Sequence, residues 1–348
     1  MPAALPLRPT PHVHGHRGAP GYVPENTLGS HALAAAMGVD AVELDLVCTK
    51  DGHLVVRHEP NLAVSTDVAR RPAFADRHRE ISVGDRSERG WFTVDFTLEE
   101  LRTLAAEEPL PDLRPHTLDG DPDRGIPTLD DILTLRAEAS AARGWELGVI
   151  LEIKHSSAFH LLGLDPEAEV VAALDRHGLG HADPRVRVES FETTSLRRLR
   201  RHGYAGTLVF LAEDAGRPLD HVLSGDPRTY ADLLGRRSLE ELAGLVGAIG
   251  PSRHLVIGRT PQGTLGEPTS LVADAHAVGL EVTPWTFRAE NHFLPADLRR
   301  GDDPAAAGDL AGELRAYFEA GVDAVFCDQP DLAVAARDAF LAKRRRPG

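Results

Sequence analysis

Two histidines, an arginine, a lysine and three acids stand at spacings that suit chemistry at a phosphate ester. His16-Arg17-Gly18 opens the set, followed by Pro24-Glu25-Asn26-Thr27, Glu43-Leu44-Asp45, His58 after a turn at Lys50-Asp51-Gly52, and Glu152-Ile153-Lys154. Acids at i and i+2 share one face of a strand, and two histidines can take and return a proton while acids hold a metal. Glu43 and Asp45 alternate with Val42, Leu44 and Leu46, and Glu152 and Lys154 share a face in Val149-Ile150-Leu151-Glu152-Ile153-Lys154. Carboxylates on such buried strands cost several kcal/mol unless paired or bound to a cation. Either an ion pair with Arg17 or a metal site therefore accounts for them. Three oxygen-donor acids with no cysteine nearby suit a hard divalent cation, Ca²⁺ or Mg²⁺, better than zinc.

The elements that must position these side chains are legible as short β-rich runs, most of them separated by helical patterns. They are His12 to Gly15, Ala41 to Val47, His53 to Arg57, Leu147 to Ile153, Arg185 to Ser190, Thr207 to Leu211, Glu281 to Thr286 and Val322 to Phe326. Eight such runs predict a TIM-type (β/α)8 barrel, an α/β fold, with Val246 to Ile249 as a ninth candidate. Only about four residues separate the second run from the third, too few for a parallel crossover, so Asp51-Gly52 reads as a hairpin turn. With those two as central turn residues, 50 pairs with 53, and Asp45 falls opposite His58. Asn26 or Thr27 is expected to cap a helix over Leu28 to Met37 that Gly38 ends. Glu25 is expected to bond back and position the His16 loop, and Gly18 to allow the backbone close to a ligand.

The chain reads as a single domain, 1–348. Residues 60–127, rich in Arg, Asp, Pro and Gly, form an insertion leaving the site end of the barrel, which suits a lid. A helix signal at Thr97-Leu98-Glu99-Glu100-Leu101 interrupts it. A second polar insertion runs from Arg288 to Asp309, and Lys343 to Gly348 reads as a frayed basic tail.

The 348 residues are 42% hydrophobic, enough for a sizeable core, and carry a formal net charge of −15. That charge disfavours nucleic acid or an anionic membrane surface as partner, so a phosphate ligand needs a local positive site. Cys48 and Cys327 lie in apolar runs and read as reduced core residues. No run approaches the ~20 apolar residues needed to span a bilayer. The segment before His16 is proline-rich without an apolar leader core, which predicts a cytoplasmic protein as given, or a periplasmic or secreted one if the chain is a trimmed form.

The order of HRG, PENT, ExD, Val55-Val56-Arg57-His58 and Leu151-Glu152-Ile153-Lys154 resembles the glycerophosphodiester phosphodiesterase family over nearly the whole chain. Phe96 to Leu101 and Ala248-Ile249-Gly250-Pro251 are closest to its bacterial periplasmic type. The resemblance implies a small-molecule glycerophosphodiester substrate, split into glycerol 3-phosphate and an alcohol. It implies His16 and His58 as general acid and base, in either order, and Arg17 and Lys154 on the phosphate. Glu43, Asp45 and Glu152 would be the metal ligands. Pro284-Trp285-Thr286 resembles a family strand in which Trp285 is either a core aromatic or a wall for the glycerol carbons. Ser190-Phe191 and Asp328-Gln329-Pro330 match further strand ends. Two departures stand out: the family has Asp after the second histidine, where this chain has Glu59-Pro60, and Leu62 to Thr66 lacks an expected Arg. Attack by the free glycerol hydroxyl through a cyclic phosphate fits these residues as well as direct attack by water. The alternatives are a lysophospholipid-type phosphodiesterase on the same barrel, which needs an apolar groove, and a non-catalytic metal-containing binding protein, against which both histidines argue. Oligomeric state is not encoded in any of these features.

Overall fold

The computed structural model describes residues 11–83, 86–117 and 124–344. Among them, eight parallel strands form the barrel: β1 (His12–Gly15), β2 (Ala41–Cys48), β6 (Gly148–Ile153), β7 (Val186–Ser190), β8 (Thr207–Ala212), β9 (Ala248–Pro251), β12 (Glu281–Val282) and β13 (Ala324–Cys327). The intervening numbers belong to β3 (Leu54–Val56), to the hairpin β4 (Arg79–Val83) and β5 (Arg86–Gly90), and to the hairpin β10 (Ile257–Arg259) and β11 (Leu265–Pro268). Barrel neighbours run β12-β9-β8-β7-β6-β2-β1-β13. Closure between the two ends comes from Asp323 N–H to Val282 O at 2.9 Å and Phe287 N–H to Phe326 O at 2.8 Å. The TIM-type architecture is thus as expected, with one exchange of strands. His53 to Arg57 is not a barrel strand: β3 pairs antiparallel with β2, and the Val246 to Ile249 run supplies the eighth stave as β9. The connection of a few residues after β2 decides this, since it cannot carry a parallel crossover.

The β2–β3 register also differs by one residue from the expected one. Val47 pairs with Val55 and Cys48 with Leu54, while the Thr49 amide donates to His53 O at 2.9 Å. Gly52, at φ +84°, takes the left-handed position of a three-residue loop. Thr49 holds that loop, its hydroxyl donating to Asp51 at 2.6 Å and accepting from the His53 amide at 3.0 Å. Asp45 therefore faces Arg57, whose amide donates to Asp45 O at 2.9 Å. His58 still comes within electrostatic reach of Asp45, Arg17 and Lys154 because β3 ends at Val56 and the chain leaves the sheet there.

Strands buried on both faces explain the apolar runs. Val13, Val42, Leu44, Leu46, Val149, Leu151, Val186 and Val188 pack outward under the helices. Ala41, Ile150 and Phe326, with Val209, Leu211 and Ala248, fill the interior beneath the mouth, and Trp285 touches both groups. The helix Leu28–Ala36 is capped by Thr27, whose hydroxyl accepts from Ser30 N–H, with Gly38 at φ +86° beyond its end. Within the insertion, Phe96, Leu101 and Leu104 are buried in the main core, and the Leu98 amide bonds Asp51 at 3.0 Å. The Thr97 to Leu104 stretch is thus barrel wall. Cys48 and Cys327 are both free and buried, as expected. No helix among the described residues is long and apolar enough to cross a membrane. Residues 84–85 and 118–123 of the insertion and 345–348 of the basic tail lie outside the described residues.

Candidate active site

The chemistry-bearing side chains converge at the C-terminal ends of the barrel strands, where loops leave a TIM-type barrel. Register sets three acids in one row, Asp45 beside Glu152 and Glu152 beside Glu189. Glu43, Glu152 and Glu189 each point one oxygen into a space where all three lie within 4.8 Å of one another. Asp45 instead meets cations and an amide: Arg17 Nε at 3.2 Å, Lys154 Nζ at 3.5 Å and Asn26 Nδ2 at 2.9 Å. Both readings of these buried acids therefore have residues to support them, an ion pair at Asp45 and an oxygen cluster around Glu43 and Glu152.

Arg17 follows β1 in a left-handed conformation, φ 51°. Its amide donates to Glu43 at 2.8 Å and its guanidinium to Glu25 at 2.7 Å. Glu25 thus bonds back to the His16 loop, as expected, through the Arg17 side chain. Gly18, at φ +90°, packs against helix Leu28–Ala36: a Cβ there would lie 2.4 Å from Ser30 Oγ and 2.7 Å from the His31 nitrogen. The close approach it permits is to that helix rather than to a ligand. Lys154 pairs with Glu152 at 2.8 Å and stands 5.6 Å over the Phe191 ring. Trp285 is fixed by its indole N–H to Gly250 O at 2.7 Å and meets Phe191 edge to face at 5.7 Å.

The two histidines each carry a carboxylate on Nδ1. His16 Nδ1 is 2.6 Å from Asp328, and Asp328 in turn accepts from Arg114 at 2.6 Å and Arg288 at 2.7 Å. Arg114 comes from the insertion, is itself buried, and also donates to Glu290 at 2.5 Å and to Pro20 O at 3.1 Å. His58 Nδ1 is 2.7 Å from Glu59. The departure from the family pattern after His58 therefore keeps an acid on the ring. Asp328, Arg114, Arg288, Glu189 and the Asn26 side chain were not singled out from the sequence for these contacts. Glu189 left a signal in its alternation, a charged residue alternating with Val186 and Val188 as Glu43 alternates with Val42 and Leu44.

Electrostatics separates these groups further. Burial, with help from the Arg17 cation, lowers His16 to about 4 against the pull of Asp328, and burial also lowers His58. Both imidazoles are neutral near pH 7. Burial and the neighbouring acids raise Glu43 well above its usual range and Glu152 to about 7, and burial raises Glu189. Burial acts the same way on Asp45, but Arg17, His58 and Lys154 outweigh it and hold that carboxyl well below its usual range. Glu43, Glu152 and Glu189 thus have too few cations, and Asp45 has enough.

A sequence profile of the glycerophosphoryl diester phosphodiesterase family matches residues 16–332. The chain belongs to the glycerophosphodiester phosphodiesterase family. Its members are phosphoric diester hydrolases, and this chain is an enzyme of that class. It is 31% identical to a glycerophosphodiester phosphodiesterase of Arabidopsis thaliana, over 91% of this chain and 83% of the relative. It is 28% identical to one of Haemophilus influenzae, over 92% and 88%. The barrel superposes on a phosphodiesterase of Oleispira antarctica solved with the product sn-glycerol 3-phosphate, with TM-score 0.60, 21% identity and coverage of 94% and 96%. At that identity the likeness speaks for the fold.

Proposed function

We propose that the chain hydrolyses glycerophosphodiesters to glycerol 3-phosphate and an alcohol, with His16 and His58 sharing proton transfer. The observation that carries this is the matched pair of Nδ1 contacts, Asp328 on His16 and Glu59 on His58. A carboxylate on Nδ1 fixes that nitrogen as a donor and leaves Nε2, which at His16 has the Thr286 hydroxyl 3.4 Å away, for the reaction. One neutral imidazole takes the proton of the attacking hydroxyl. The other, entering the step in its protonated form with a proton on Nε2, gives that proton to the leaving alkoxide as the phosphorus–oxygen bond breaks, and the two rings return to their starting states by exchange with solvent, so that the proton count closes over a turnover. Arg17 and Lys154 supply positive charge for the phosphoryl oxygens, and Trp285 with Phe191 gives an apolar wall for the glycerol carbons.

The donor set around Glu43 and Glu152, with Asp45 beside it, fits a hard divalent cation, Ca²⁺ or Mg²⁺: it is all carboxylate, buried and short of positive charge. Such an ion, when bound, polarises the phosphoryl oxygens as a Lewis acid. Residues 60–127 join the site through Arg114 and Ala106, which with Gly125 and Ile126 borders a small cavity next to Glu25 and His58. That position suits a cover over the head group.

The test is a panel of glycerophosphodiesters and one lysophospholipid, each with and without chelator and with product identification. Glycerol 3-phosphate released from the water-soluble diesters, and lost on chelation until Ca²⁺ or Mg²⁺ is returned, is the expected result. Turnover of the lysolipid alone would move the substrate to a different class. Full activity of a protein proven metal-free would sink the cation reading.

A further inference from the structure

Proton transfer and phosphate binding leave Glu189 without a task, yet its surroundings are among the most demanding in the barrel. The β6–β7 register places it directly beside Glu152, which itself stands beside Asp45. Like charges opposite one another on neighbouring strands destabilise a sheet. Glu189 is 3% exposed, and its Oε2 has no hydrogen-bond partner among the described residues. The cations that share its face are engaged elsewhere: Arg187 with Glu281 at 2.5 Å and Lys154 with Glu152 at 2.8 Å. A buried carboxylate oxygen left this way costs free energy unless something positive meets it.

A second cluster with metal-like spacing shows what a satisfied arrangement looks like. On the outer side, Glu167 accepts from Ser156 at 2.5 Å and meets His160 at 2.8 Å, while Asp165 caps a helix by accepting from the Ala168 amide at 3.0 Å. Those groups neutralise one another and need no ion. The barrel cluster has no such internal answer at Glu189, and its oxygens converge within 4.8 Å.

We propose that Glu189 is a ligand of the divalent cation, a further carboxylate converging with those of Glu43 and Glu152 and added to the site that Glu43, Asp45 and Glu152 form. This rests on the cation reading of the proposed function and adds to it a carboxylate from β7. A further carboxylate tightens binding of hard cations, because affinity in such sites follows the count of charged ligands.

The test uses the full chain stripped by chelator and titrated calorimetrically with CaCl2 and with MgCl2. Glu189→Gln preserves size and removes the charge. It is expected to weaken cation binding by roughly 10–100-fold and to shrink the cation-induced rise in Tm accordingly. In metal-free buffer the same variant should melt at or above the wild-type Tm, because a repulsive neighbour of Glu152 has gone. That melt also reports whether the variant folds. Should it fail to fold, Glu189→Asp withdraws the oxygen while keeping the charge and is expected to weaken binding in the same direction. Unchanged affinity in a folded variant would overturn the ligand role and leave the cation reading standing. No cation binding by the wild-type protein would overturn both.

Discussion

The two histidine sides of the mouth are built in opposite ways. His16 leans on Asp328, and that carboxylate is clamped by Arg114 and Arg288, so residues from the first strand, the insertion and the last strand meet in one buried network. His58 leans on Glu59, its own neighbour in the chain, and the two side chains are 27% and 35% exposed. The first arrangement fixes an imidazole by tertiary structure. The second does so by local chain geometry, with the ring and its acid partly open to solvent.

Removing the rings should cost most and should cost both sides alike. If each histidine moves a proton in the rate-limiting step, His16→Ala and His58→Ala slow turnover by ~10²–10⁴-fold. A folded His58→Ala protein with near-normal kcat would take the exposed side out of the mechanism. Removing the supporting acids should separate the sides. Asp328→Asn leaves the buried Arg114 guanidinium and the half-buried Arg288 without their shared carboxylate and should lower stability by roughly 3–5 kcal/mol, read from urea unfolding. Equal unfolding midpoints for Asp328→Asn and wild type would show that the clamp is not a stabilising network.

Acid should sharpen the comparison next. Burial holds His16 at about 4 in the folded protein, below its ordinary 6.5, so between these values the unfolded chain binds the extra proton. Stability from this group is complete above pH 6.5 and is lost as pH falls toward 4, amounting to roughly 2 kcal/mol by pH 5. In metal-free protein, His16→Ala should flatten the unfolding free energy between pH 7 and pH 5 by that amount, and His58→Ala by less. A slope untouched by His16→Ala would place the acid sensitivity at another buried group, with His31, which burial lowers to about 3, the first to examine. The smallest effect belongs to Glu59→Gln. An exposed pair of this kind contributes at most about 1 kcal/mol, so stability should hardly move, while the His58 titration followed by NMR shifts downward as its hydrogen-bonded carboxylate is lost.

The same contrast explains what could be read from the chain. Glu59 follows His58 in sequence, so its charge was visible at once and only its direct contact with the ring had to be found. Glu43, Asp45, Glu152 and Lys154 were legible through period-two alternation in apolar strands, and Thr27 through capping chemistry. Glu189 obeys the same alternation, but one strand further round the barrel, where no neighbouring acid in the sequence draws attention to it. The hairpin register is not legible to the residue, because a three-residue loop with Gly52 in the left-handed position looks, as sequence, like a two-residue Asp-Gly turn. The His53 to Arg57 run has the composition of a barrel strand and fails only on connection length. Asp328 was legible as a strand end but not as the partner of His16, and Arg114 carried no local signal, since nothing short of the closed barrel brings them together.

That separation governs how the enzyme comes into being. His16 and Asp328 are 312 residues apart in sequence, Arg114 and Asp328 are 214 apart, and Arg114 and Glu290 are 176 apart. Loop-closure entropy must be met before such contacts return anything, and folds rich in non-local contacts assemble slowly. The imidazole of the first strand is therefore set only when the last strand arrives. During refolding, helical signal should recover well before hydrolysis does, and a chain still emerging from the ribosome holds every residue of its β1 to β9 staves while remaining inert.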